Sequence, residues 1–166
     1  IETKVENDGE KDVSVIVTST IYDSEGNMFA SPAVSQAQKI AAGSTMSYMQ
    51  TVPTGKPELW SVDSPALYKV VSEVQVDGRT VDTYETTFGF RWVTMDPDEG
   101  FFLNGEYMKL NGMCMHHDQG ALGAVANYRA IERQMETMKN MGANAIRVTH
   151  NPAADELLEI CDRLGL

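Results

Sequence analysis

A mainly β first half followed by an α/β second half is what the sequence predicts, and three observations carry it. Residues 1 to about 90 are written in period two, with polar turn signals between the runs. Beyond about residue 108 the pattern becomes short apolar run, amphipathic helix, short apolar run, amphipathic helix. Each of those apolar runs switches at its end to His, Asp, Arg or Asn, as parallel strands do where they enter the rim of a site. The fold class is therefore an immunoglobulin-like β-sandwich over residues 1–92, followed by the first βα units of a truncated (β/α)8 barrel over residues 93–166.

In the first region Val13, Val15, Val17, Ser19 and Ile21 share one strand face, and Val70, Ser72, Val74 and Val76 repeat the pattern. Turns are marked by Asn7-Asp8-Gly9, by the stretch from Asp23 to Asn27, by Ala42-Gly43-Ser44 and by Asp77-Gly78. The last of these supplies the positive φ that a tight hairpin needs. About seven short strands at this spacing fit a sandwich without the disulfide of antibody domains. Cys114 and Cys161 are far apart and outside any C-x-x-C spacing, so both are expected as small core hydrophobes. Trp60 is assigned to the sandwich core and Trp92 to the domain junction.

The second region opens with a polar break, Asp96 to Gly100, and a hairpin from Phe101 to Tyr107 turning at Asn104-Gly105. A strand is predicted near Lys109 to Met115. A helix follows from Tyr128 to Met141, with Asn127 as N-cap, Gly142 just past its end and Ile131, Met135 and Met138 on its inner face. After a strand at 144–149, a closing helix presents Leu157, Leu158, Cys161 and Leu164, entered at Asn151-Pro152 and left at Gly165. These two units occupy about seventy residues, whereas a closed barrel takes about 250. The chain opens at Ile1 without Met or a leader pattern and stops straight after a helix, so it reads as an excised piece whose compartment is not legible.

Composition excludes some partners. A hydrophobic fraction of 42% with 22% charged residues is that of a globular domain, and no apolar run approaches membrane-spanning length. A net charge of −11 with only 13 scattered Lys and Arg argues against nucleic acid, whose phosphates demand clustered cations.

Several segments in order carry a family resemblance. They are Glu-Leu-Trp-Ser-Val-Asp-Ser-Pro-Ala-Leu-Tyr at 58–68, Thr-Phe-Gly-Phe-Arg at 87–91 and Phe-Leu-Asn-Gly at 102–105. Gly-Met-Cys-Met-His-His-Asp-Gln-Gly at 112–120, Asn-Ala-Ile-Arg-Val-Thr-His-Asn-Pro at 144–152 and Glu-Ile-Cys-Asp-Arg-Leu-Gly at 159–165 complete the set. Together they resemble the middle of a glycoside hydrolase family 2 enzyme of the β-galactosidase branch. The resemblance implies a TIM barrel that hydrolyses terminal β-linked sugars, usually β-galactosides, with retention. Retention uses two carboxyl groups about 5–5.5 Å apart. In the family these are glutamates on later barrel strands with no counterpart here, so no catalytic residue is expected in this chain. The acids after Gly100, namely Glu106, Glu132, Glu136, Asp155, Glu156, Glu159 and Asp162, fall on a hairpin or on helices; only Asp118 stands at a strand's carboxyl end.

What the resemblance leaves to this chain is sugar positioning. His116 matches a histidine that contacts galactosyl hydroxyls, and Arg147 and His150 match active-site residues of the second strand; His117, Asp118 and Asn151 complete the substrate-binding candidates. Imidazole and guanidinium groups bond vicinal hydroxyls, and arginine also orients a carboxylate through its planar fork. Arg147 in an otherwise apolar strand is costly unless it has a partner. The chain departs from the Arg-His of several members at Met115-His116 and continues His117-Asp118, which leaves the sugar open. Period two also puts Arg147 and His150 on opposite strand faces unless the strand ends between them.

Other readings compete. His116, and more so His117, could serve only to tie a strand end to backbone. His116, His117, Asp118 and His150 also offer N and O donors suited to zinc or iron, although the spacing matches no known metallohydrolase motif. No metal and no cofactor is expected. A non-catalytic sandwich module that binds glycan or a partner chain is the alternative function. Two βα units without neighbours are also expected to self-associate through the incomplete barrel.

Overall fold

The computed structural model of the chain describes residues 1–166, which form two compact units: residues 1–57 with 68–88, and residues 58–67 with 89–166. The first unit contains β1 (Glu2–Asn7), β2 (Val13–Tyr22), β3 (Ala33–Val34), β4 (Gln38–Ile40), β5 (Ser44–Met49), β6 (Tyr68–Val76) and β7 (Arg79–Phe88). Strands β1 and β5 pair antiparallel in one sheet. The other runs β3-β2-β6-β7, with β4 also pairing β2. The predicted inner face of β2 is realised: Val15, Val17, Ser19 and Ile21 are buried, and Val15 and Val17 pack with Ile40 and Tyr48. Burying each such aliphatic side chain stabilises the fold by roughly 1.5–3 kcal/mol. Ser19 is tolerated because its hydroxyl donates to Gln50 Oε1 at 2.7 Å, and Gln50 Nε2 donates in turn to Val17 O at 3.0 Å and Ala33 O at 2.8 Å. Asp77 and Gly78 take φ values of 51° and 74°, the tight turn the sequence predicts between β6 and β7.

The second unit begins its regular structure with a meander of β8 (Val93–Asp96), β9 (Gly100–Leu103) and β10 (Glu106–Tyr107). The expected polar break is thus a turn inside a sheet: Asp96 Oδ1 accepts from Asp98 N at 2.8 Å and Glu99 N at 2.9 Å, closing β8 onto β9. The parallel pair β11 (Gly112–His116) and β12 (Ala145–Thr149) alternates with α1 (Tyr128–Asn140) and α2 (Asp155–Leu164). Asn127 caps α1 by accepting from Ala130 N at 3.0 Å, and Gly142 follows at φ 92°. The helices bury Ile131, Met135, Leu157 and Ile160 against Met115, Ile146 and Val148.

Three expectations are corrected here. Leu158 is half-exposed and Ile160 takes the inner position, because 157, 160, 161 and 164 line one face of a 3.6-residue helix while 158 lies about 100° away. Trp60 belongs to the second unit, not to the sandwich core. Its indole N–H donates to Asp162 O at 2.7 Å, one of the carbonyls that the end of α2 leaves without a helical partner. The Arg91 guanidinium lies 4.3 Å from the Trp60 ring centroid. Cys114 is exposed and not a core residue, whereas Cys161 joins the helix core as expected. Residues 58–67 group with the second unit and form a strap on it. Lys139 Nζ holds it by donating to Val62 O at 2.5 Å and Gly165 O at 2.7 Å.

Candidate functional site

The candidate site is the rim where β11 and β12 end. Paired residues of a parallel ladder point the same way, and the register aligns Cys114 with Arg147, Met115 with Val148, and His116 with Thr149. Met115, Ile146 and Val148 pack toward the helices, so Cys114, His116, Arg147 and Thr149 share the opposite face. Arg147 is exposed there, with Nη1 3.9 Å from Cys114 Sγ. Strand β12 ends at Thr149, which puts His150 in the following bend and removes the conflict of faces that strict alternation would impose. The His116 and His150 rings meet edge to face with centroids 6.5 Å apart, and both residues are exposed.

His117 points elsewhere. Its Nε2 lies 2.7 Å from Ala124 O, and the residue borders, together with His116, a small cavity of about 30 Å³ that Met115, Gln119, Ile131 and Gln134 also line. Its geometry is that of an anchor for the loop between β11 and α1. Asp118 shapes the same loop: its backbone N–H donates to His116 O and its Oδ1 accepts from Gly120 N, both at 2.8 Å. Asn151 is exposed directly after His150. No three His, Cys, Asp or Glu side chains converge as a metal-binding group, so the His-His-Asp run and His150 do not assemble into the ligand set considered from sequence.

The sequence reading passed over Thr149. It is 3% exposed, and its Oγ1 donates to Met115 O at 3.1 Å while lying 3.2 Å from His116 Nδ1. Alternation was the available signal, since a hydroxyl two residues beyond Arg147 must share its face.

Residues 1–91 match the family model described as glycosyl hydrolases family 2, and residues 95–166 match the TIM barrel domain of the same family. The chain belongs to glycosyl hydrolases family 2. Within this family it is 41% identical over 165 residues to a beta-galactosidase of Bacteroides ovatus, covering 99% of the chain and 19% of that protein. It is also 36% identical over 112 residues to a beta-glucuronidase of Bacteroides fragilis, covering 67% of the chain and 16% of that enzyme. The crystal structure of a Bacteroides uniformis beta-glucuronidase superposes with a TM-score of 0.88 at 36% identity, over 99% of the chain and 20% of that structure. The family 2 chain thus spans about a fifth of the length of these relatives.

Proposed function

We propose that this chain belongs to a retaining glycoside hydrolase acting on terminal β-galactosides or related β-glycosides, and that it supplies substrate-positioning groups but neither catalytic glutamate. The observation that carries this reading is the placement of His116 and Arg147 on one face of β11–β12, with the His150 ring beside that of His116 where the strands end. In a (β/α) barrel that end is where substrates bind. The imidazoles present nitrogen donors and acceptors to vicinal sugar hydroxyls. Arg147 presents a fixed cationic fork that a carboxylate can meet in bidentate fashion. Hydrogen bonds that tighten as the sugar ring approaches an oxocarbenium ion lower the barrier, whereas equal binding of ground and transition states does not.

The carboxylates of the unit support the division of labour. Glu132 and Glu136 lie on α1 and are paired with Arg129, and Glu159 on α2 accepts from Tyr128 Oη. Asp118 is engaged in its own turn. A two-carboxylate mechanism therefore draws its acid and nucleophile from other residues of the enzyme.

The test is a panel of chromogenic β-galactoside, β-glucuronide and β-glucoside substrates, hydrolysed by a polypeptide extended to the length of the relatives. His116→Ala and Arg147→Ala should each lower kcat/KM by about 10- to 1,000-fold, with the larger loss in kcat where the contact tightens in the transition state. Preference for the glucuronide would move the substrate to the uronides and leave the positioning roles intact. Unchanged kcat/KM in both variants would overturn them, and no hydrolysis of any substrate would favour the glycan- or partner-binding module.

A further inference from the structure

Strand β1 is paired along one edge only, antiparallel with β5. Ile1 N donates to Gln50 O and Gln50 N donates to Ile1 O, each at 2.8 Å, and the register carries that bonded pairing to every second residue, namely Thr3, Val5 and Asn7. The N–H and C=O groups of Glu2, Lys4 and Glu6 therefore point away from β5, along a row that no strand of the sandwich meets. Such a row is a template for a further strand.

The sheet face beneath that edge is equally uncovered. Thr3 Oγ1 and Ser72 Oγ are 3.5 Å apart, so β1 sits over β6. Residues directly opposite in an antiparallel pair share a face, so Tyr84 and Thr86, the register partners of Ser72 and Val70, turn the same way as those two buried side chains. Yet Tyr84 is 72% exposed, and Thr86 is exposed too. Strands within a sheet lie about 4.8 Å apart and packed sheets about 10 Å apart, so the next strand beyond β1 would lie over β7 and cover that face. The lane it would follow is a groove of about 760 Å³ that Val74, Val81 and Phe88 also line.

We propose that this groove receives one extended strand, supplied by the segment of the longer polypeptide that precedes Ile1 and paired antiparallel with the free edge of β1. A second copy of the chain does not fit. Its own β1 lies over its own β6, and would drive that strand into the β7 already beneath the lane. A single strand with no sheet of its own meets no such obstacle. The family 2 relatives are about five times as long as this chain, which leaves polypeptide to supply it. Ile1 borders the groove, so a hairpin of about 2–5 residues brings the preceding segment alongside β1. Glu2, Glu6, Asp8 and Asp82 outnumber Lys4 around the lane, so the strand carries apolar side chains inward and Lys or Arg outward, opposite Glu2 and Glu6. This inference is independent of the sugar contacts proposed above.

Amide exchange tests it, read residue by residue in the 166-residue chain and in the polypeptide extended to the length of the relatives. The Glu2, Lys4 and Glu6 amides should exchange about 100-fold more slowly in the extended polypeptide, while Thr3 and Val5, bonded to β5 in both, change far less. Deleting the segment before Ile1 from the extended polypeptide should restore fast exchange at the three outward amides. Lys4→Pro gives a second readout. It removes an outward N–H, so it should lower the urea midpoint of the sandwich more in the extended polypeptide than in the 166-residue chain, whereas Val5→Pro breaks a bond to β5 and should act on both. Equal exchange of the outward amides in the two chains would overturn the proposal. So would protection that survives the deletion, which assigns the strand to another source, or protection in the 166-residue chain that rises with its concentration, which assigns it to a second copy.

Discussion

Single residues differ here chiefly in what surrounds them, and the two cysteines show it. Burial in the helix core pushes the Cys161 thiol up to about 11, with the charge of neighbouring Asp162 adding to the shift, so it stays protonated and unreactive at neutral pH. Cys114 stands exposed on the site face beside Arg147. Brief alkylation at neutral pH followed by peptide mass spectrometry should therefore modify Cys114 and leave Cys161 intact until the unit unfolds; the reverse order would contradict the packing of α2. Glu132 sits between Arg129 and Arg163, and the hydrogen bond from Arg129 is the largest influence holding its carboxyl below the ordinary glutamate range. A folded-state pKa below the unfolded one means stability that is complete above the unfolded glutamate value and lost as pH falls through the folded value. Urea midpoints of the second unit should decline through that acid window, and Glu132→Gln should flatten the part of the decline that high salt also removes.

Elements show where such local chemistry becomes architecture. Lys139 joins the strap to the end of α2 by donating to Val62 O and Gly165 O, so Lys139→Met should lower the stability of the second unit by about 1–3 kcal/mol. Asn127→Ala should remove about 1 kcal/mol by uncapping α1. Gly89→Ala is expected to cost more than the cap, because a Cβ there would lie 2.6 Å from Trp60 Cβ. Chemical denaturation followed by the fluorescence of Trp60 and Trp92, both in the second unit, measures all three. Most elements were legible in the sequence because period and cap agreed, as for β2, for the Asp77-Gly78 hairpin and for α1 behind Asn127. The strap was not legible. Its residues have neither helical nor strand period, and what fixes Trp60 is a carbonyl 102 residues away in sequence, which no local pattern encodes. Strand β8 was missed for a related reason: all four of its residues are exposed, so no alternation marks it. The rim positions of His116, Arg147 and His150 could be read from the polar endings of apolar runs. Thr149 could not be distinguished from an ordinary strand threonine without the register that places it opposite His116.

For the whole molecule the two units carry different expectations. The sandwich closes its core over Val15, Val17, Ile40 and Tyr48 and leaves no buried side-chain polar atom without a partner. The second unit covers one face of a two-stranded parallel sheet, and Leu110, Met113, Leu122, Val125 and Leu158 are all at least 39% exposed. Parallel strands are stable when both faces and both edges are covered, so the chain on its own should self-associate as its concentration rises. Amide exchange should also be faster in β11 and β12 than in β2 and β6. Sedimentation velocity over a concentration series, with exchange mass spectrometry on the same samples, tests this; a monodisperse monomer with equal protection in both units would show that two βα units suffice. Whether this chain positions a sugar for carboxylates carried elsewhere in the proposed enzyme is decided by assaying one chromogenic β-galactoside with the 166-residue chain and with the extended polypeptide side by side. Hydrolysis is expected from the extended polypeptide alone, weakened by His116→Ala and Arg147→Ala. Turnover by the 166-residue chain would contradict it, because the catalytic groups would then have to lie among these residues.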